Sequence, residues 1–179
     1  AKAYADLLVL PRTSASTLRP VLHVQGMENL EAARALGKGV MAVSCHMGSY
    51  EVVSAIWAAT LSPVSFFAEE LEPRALFEWY RDTRARLGIS VLTLPVSGIR
   101  KVTQALHEKE LLITAIDRDN IGPGHVMPFF GRPAPIPLGN AHLALRSGTP
   151  LLSVSVSQHL DDPFMAAAAS TVLAERTRH

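Results

Sequence analysis

An α/β fold with a mainly parallel sheet and helices on both faces is what this sequence predicts, and three observations carry it. Short apolar runs recur at residues 40–45, 64–68, 89–94, 111–116 and 151–156, each of strand length rather than helix length. Between them the apolar spacing changes to the three-and-four pattern of a helix face. Glycine and proline stand at the changeovers, at Gly37, Gly39, Pro73, Gly88, Gly98 and Gly148. Strand alternating with helix buries a parallel sheet between two helical layers.

Taken in order, residues 40–45 follow Gly37-Lys38-Gly39 and read as a strand covered on both faces. Val52, Val53, Ile56, Trp57 and Thr60 then fall at helical spacing, with Ser49 placed to cap that helix. After the strand at 64–68, Pro73 suits the start of a helix whose inward face is Leu76, Tyr80, Thr83 and Leu87, and Gly88 ends it. The strand at 89–94 leads to a helix over 98–109 with Ile99, Val102 and Leu106 inward. A fourth strand at 111–116, a helix from about Gly139 to Ser147 ended by Gly148, and a strand at 151–156 complete the series.

The chain has 179 residues, enough for one domain over 1–179 that buries about 70% of its unfolded surface. Its formal net charge is +1, from 17 basic and 16 acidic residues, so no global field draws it to nucleic acid. Charged residues are only 18% and apolar residues 48%, a balance that suits an apolar ligand or contact with a membrane. No apolar run approaches the roughly 20 residues of a membrane span, and no signal peptide pattern is present. Cys45 is the only cysteine, which excludes an internal disulfide and fits a reducing compartment.

The chemistry concentrates where the first strand turns into its helix. His46 stands at the strand's carboxyl end and Glu51 in the first helical turn, with Met47-Gly48 between them. Ligands of such sheets sit beyond the carboxyl ends of the strands. A neutral imidazole there can take a proton from a hydroxyl, and a carboxylate on its other nitrogen fixes the tautomer and steadies the imidazolium. The expectation is that His46 is the base and Glu51 orients it. Asp117 directly follows another strand and should open onto the same edge. Cys45 points away from His46 and is expected to be a buried structural thiol. His23, His107, His125, His142 and His159 show no metal-ligand spacing.

Further motifs carry a family resemblance over about Val24 to Val156. They are Gly26-x-Glu28-x-Leu30 leading to Gly37-Lys38-Gly39-Val40, the H-x4-E of His46 and Glu51, Asp117-Arg118-Asp119, and Pro128-Phe129-Phe130-Gly131-Arg132-Pro133-Ala134 with Pro137 and Gly139 behind it. In this order the sequence resembles the bacterial lipid A biosynthesis acyltransferases, including the phosphatidylinositol mannoside acyltransferases. The resemblance implies a glycerolipid acyltransferase-like architecture. It implies transfer of a fatty acyl group from acyl carrier protein or acyl-CoA to a lipid hydroxyl, with no metal and no other cofactor. The implied setting is the cytoplasmic face of the inner (plasma) membrane. Such proteins usually carry an N-terminal anchor and a longer C-terminal part, so this chain is expected to be a piece of a longer protein.

By the same resemblance Arg84 matches an arginine needed for activity, and Asp117 orders the site through hydrogen bonds or an ion pair. Asp119 and Arg132 join it as expected substrate-binding residues. Arg74, Arg81, Arg100 and Lys101 could meet anionic headgroups. Phe129 and Phe130 lie in a stretch rich in proline and glycine and are either core plugs or the lining of an apolar ligand site. Two other readings remain: a catalytically idle module that binds acylated lipid or carrier protein, and a metal-dependent glycosyltransferase using Asp117 and Asp119. The intact His46 and Glu51 weigh against the first, and the lack of a nucleotide loop against the second.

Overall fold

The computed structural model describes residues 2–13, 17, 22–61, 63–93, 96–118, 124–158 and 165–172. In chain order these form α1 (Lys2–Val9), β1 (Leu22–Gln25), α2 (Met27–Ala35), β2 (Val40–Ser44), α3 (Tyr50–Leu61), β3 (Val64–Ala68), α4 (Arg74–Arg86), β4 (Ile89–Thr93), α5 (Val96–His107), β5 (Leu111–Ala115), β6 (His125–Phe129), β7 (Arg132–Ile136), α6 (Gly139–Ser147), β8 (Leu151–Gln158) and β9 (Met165–Val172).

Seven strands make one sheet in the order β1-β9-β8-β2-β5-β3-β4. Every neighbouring pair is parallel except β8 with β9. The fold class is the expected one, with β1 and β9 added beyond β8 as two strands that the apolar runs did not announce.

Strand β2 sits at the centre because it can be buried on both faces. Val40 and Ala42 face a core shared with Leu30 of α2 and with Val53 and Trp57 of α3. Met41 and Val43 face the opposite core with Val102 and Leu106 of α5 and Ala144 of α6. Alternate residues of a strand point to opposite faces, and so this run needs helices on both sides. Met41 is fully buried, and trimming it to alanine should cost about 2–5 kcal/mol.

Helix α3 is unusually submerged: every residue from Glu51 to Ala58 is buried. It begins where Ser49 was expected to cap it, and the Ser49 carbonyl accepts from the N–H groups of Val52 and Val53. The Ser49 hydroxyl, however, makes no hydrogen bond among the described residues. No described helix is long and apolar enough to cross a membrane.

The stretch rich in proline and glycine around Phe129 and Phe130 is a β-hairpin. Strands β6 and β7 pair antiparallel, with Phe129 opposite Arg132, so Phe130 and Gly131 alone make the turn. Both have positive φ, 48° and 76°, the pattern of the type I′ turn that joins twisted strands most simply.

Candidate active site

Strands β2 and β5 lie side by side with Ser44 opposite Ala115, and the Ile116 N–H continues the ladder to the Ser44 carbonyl at 2.9 Å. One step beyond, His46 and Asp117 emerge together at the carboxyl edge. The backbone N–H of His46 donates to Asp117 Oδ2 at 3.0 Å, and its ring Nδ1 lies 2.8 Å from Oδ1. A carboxylate accepts only, so Nδ1 carries the proton and Nε2 is the basic nitrogen. Tyr50 meets the imidazole edge-on, with centroids 5.6 Å apart. After His46 the chain must pass close to β8. A side chain at Gly48 would bring its Cβ within 2.5 Å of the Val156 carbonyl oxygen, and its φ of +61° is in the left-handed region. Glycine meets both demands.

Burial pushes the Asp117 carboxyl up, but hydrogen bonds from the His46 backbone and ring, and the imidazole's charge, outweigh it. The carboxyl is held below its ordinary value and stays ionised beside His46.

Glu51 does not hold His46, contrary to the expectation from spacing. It is fully buried on α3 and turned toward α4. There Arg84 Nη2 donates to Oε1 at 2.6 Å, Arg84 Nε to Oε2 at 3.3 Å, and the Tyr80 hydroxyl to Oε1 at 2.8 Å. Arg84 is itself only 1% exposed. Its guanidinium carbon lies 3.8 Å from the Phe66 ring centre and 3.9 Å from that of Tyr80, and it also contacts the Tyr80 hydroxyl. Nη1 is left with no partner among the described residues. Burial first, and then Glu51, push the Tyr50 phenol up. Burial likewise raises Tyr80 far above the ordinary tyrosine range against the pull of Arg84. Both phenols are therefore donors at neutral pH.

These two groups face one cleft of about 400 Å³, lined by His46, Tyr50, Phe66, Tyr80, Arg84 and Arg118 among others. That volume lies in the range of small-ligand sites, about 300–1,000 Å³. The His46 ring, the Arg84 guanidinium and an apolar wall of Phe66, Phe67, Leu71 and Ile113 line the same space, and among the described residues His46 Nε2 and Arg84 Nη1 are given no partner. The arrangement can remove a proton, receive an oxyanion and shelter hydrocarbon.

The structure gathers His46, Glu51, Arg84 and Asp117 at this edge, and leaves Phe129, Phe130 and Arg132 out of the cleft lining. Those three are exposed on the β6–β7 hairpin, with Phe130 93% exposed, so neither phenylalanine is a core plug. Asp119 falls outside the described residues. Cys45 is exposed rather than buried. Partial burial and then the Asp117 charge raise its thiol, which leaves it protonated and a poor nucleophile. Arg74 and Arg81 pair with Glu78 and Asp82 on the exposed face of α4. Arg118 reaches Glu69 at 3.7 Å on the cleft rim.

The sequence pattern places Tyr80 only on a helix face and Phe66 only in a strand. One signal pointed to Tyr80: it lies four residues before Arg84, so the two share a helix face.

Comparison with known proteins gives a consistent result. The family described as bacterial lipid A biosynthesis acyltransferase matches residues 1–165. A phosphatidylinositol mannoside acyltransferase of Mycobacterium tuberculosis is 29% identical over 134 residues, covering 72% of this chain and 42% of the relative. One of Mycolicibacterium smegmatis is 27% identical over 158 residues, covering 86% and 52%. The chain thus spans about half the length of the curated relatives it matches.

Proposed function

Since this chain belongs to the bacterial lipid A biosynthesis acyltransferase family, we propose that it carries the acyl-transfer site of an enzyme that moves a fatty acyl group from a thioester to a hydroxyl of a membrane glycolipid. The donor is acyl-CoA or acyl carrier protein. The acceptor is a lipid A-type precursor or a mannosylated phosphatidylinositol such as the relatives' name specifies. The work is done at the cytoplasmic face of the membrane.

His46 Nε2 takes the proton of the acceptor hydroxyl as its oxygen attacks the thioester carbonyl carbon. The negative charge that develops on the carbonyl oxygen needs a positive field fixed in advance, and the buried Arg84 guanidinium behind the cleft wall, whose two Nη1 N–H groups have no partner among the described residues, supplies it. Collapse of the tetrahedral species breaks the carbon–sulfur bond, and the imidazolium returns its proton to the leaving thiolate. Asp117 orients His46 in this scheme, and Glu51 is a positioning residue for Arg84. The observation that carries the reading is the double hydrogen bond between His46 and Asp117, which leaves Nε2 without a partner among the described residues on the lining of a largely apolar cleft.

The test is transfer of a labelled acyl group from a thioester to membrane glycolipid by the protein at its natural length, with product identified by lipid mass spectrometry. Acylated glycolipid from wild type and none from His46→Ala is the expected pair. Wild-type turnover by a folded His46→Ala protein overturns the mechanism.

A further inference from the structure

The β6–β7 hairpin follows Asp117 within eight residues but does not serve the cleft. Its apolar side chains face solvent: Val126 is 65% exposed, Phe129 55% and Phe130 93%. The two rings meet edge to face, 4.8 Å apart, at the tip. Phe130 occupies a turn position with φ +48°, where asparagine, aspartate or glycine is the favoured choice and a bulky side chain is strained. Apart from its edge contact with Phe129 the ring stands in solvent and joins no core cluster, and strain of this kind marks function.

The ribbon is also unable to recruit another strand. In a hairpin closed by two residues, the Phe129–Arg132 pair exchanges hydrogen bonds, so bonded and non-bonded pairs alternate away from the turn. Pro128, Pro133 and Pro135 all fall at non-bonded positions, whose N–H groups would point outward. Proline has none. The outer edge of β7 therefore offers no donor at Pro133 or Pro135, and that of β6 only the N–H of Val126. Edge-on pairing with a protein strand is blocked, while the apolar tip is left open.

Charge decides the occupant. Residues 120–160 contain no aspartate or glutamate, whereas Arg132 adjoins the tip and Arg146 lies on α6 beyond it. An apolar tip with Arg132 beside it and no carboxylate on either strand of the ribbon complements a bilayer that carries anionic headgroups. Each strand has five residues, or about 17 Å of ribbon. That exceeds the roughly 5–10 Å to which interfacial side chains sink, so the tip can enter while the base stays in water. We infer that the β6–β7 hairpin is a wedge that seats Phe129 and Phe130 in an anionic lipid surface and holds the cleft against it. The inference rests on the acyl-transfer reading, and it names the surface on which that site works.

Binding of the full chain to vesicles of phosphatidylglycerol and of phosphatidylcholine, by co-sedimentation, tests it. Wild type should prefer phosphatidylglycerol. Phe130→Asn suits the turn and should keep the fold, and Phe129→Thr keeps strand propensity. Together they should weaken binding at least about tenfold, given what burial of one aromatic side chain is worth. Arg132→Gln should weaken binding to phosphatidylglycerol about fivefold and leave phosphatidylcholine binding unchanged. In Phe130→Trp, the introduced indole should shift its emission to the blue on phosphatidylglycerol vesicles and be quenched by brominated acyl chains. His46→Ala should bind vesicles as wild type does, so failure of the chemistry and failure of docking are read separately. No vesicle binding by wild type, or wild-type binding by the double variant, overturns the wedge. Unchanged vesicle binding with a lost response to an acidic carrier protein assigns the hairpin to a protein and also overturns it.

Discussion

Two acid–base pairs border one cleft, and their surroundings give them opposite work. Glu51 and Arg84 are buried between α3 and α4 behind the cleft wall, with side-chain exposures of 0% and 2%, while His46 and Asp117 stand at the strand edge at 41% and 35%. A buried pair cannot lose one member without leaving an uncompensated charge in a poor solvent, so it is suited to hold a fixed geometry. A pair open to water can change its charge during a reaction at little structural cost. On the proposed acyl-transfer reading, proton transfer belongs to the rim and preorganisation to the wall.

The sharpest way to break this division is to truncate each carboxylate. Glu51→Ala strands the Arg84 cation and should lower stability by about 3–5 kcal/mol, read from denaturant midpoints. If the variant keeps its stability and loses only turnover, Glu51 acts on the imidazole after all, as its spacing had suggested.

A somewhat smaller effect concerns the pair as a unit. Glu51→Leu with Arg84→Met replaces both charges by apolar groups of similar bulk and should regain about 2 kcal/mol or more over Glu51→Ala, with acyl transfer still absent. A double variant no more stable than the single would show that Tyr80 and Phe66, not the charge pair, anchor this wall.

Asp117→Asn should be the reverse of Glu51→Ala. Its stability should stay within about 1 kcal/mol of wild type, because the site is partly solvated, while the rate falls by about tenfold or more as His46 loses its orienting acceptor. Loss of folding in this variant would move Asp117 to the structural side of the comparison.

The mildest effect is on acid stability. Asp117 has a folded value below its unfolded value, so its contribution is complete above about pH 4 and is lost as pH falls through the lower folded value. Unfolding midpoints of Asp117→Asn should accordingly decline less steeply than those of wild type below about pH 4.

Much of this architecture was legible because apolar runs and glycine stops are local. Val40 to Ser44 announced the central strand, and Gly88 and Gly148 ended their helices where expected. The partner of His46 was not legible, because 71 residues separate it from Asp117 and only the adjacency of β2 and β5 joins them. The placement of both residues just past a strand was visible; the strand order was not. Glu51 misled because sequence proximity does not say which way the first turn of a helix faces. The hairpin was hidden by Pro128, Pro133 and Pro135, which normally count against strands and here occupy just those positions where a missing N–H costs nothing. Strand β9, rich in alanine, carries little β propensity and is held by pairing with β8 and β1.

The continuation of the β2–β5 ladder into the His46–Asp117 pair has a consequence for how the protein would wear out. Amide protons in such doubly covered strands exchange with solvent only when the whole fold opens. The geometry at the rim is thus clamped by the slowest-exchanging part of the molecule, whereas the β6–β7 ribbon, paired chiefly with itself, should exchange early. Heat should then take away lipid attachment well before it disturbs the imidazole, and the two losses should show different half-lives at one temperature.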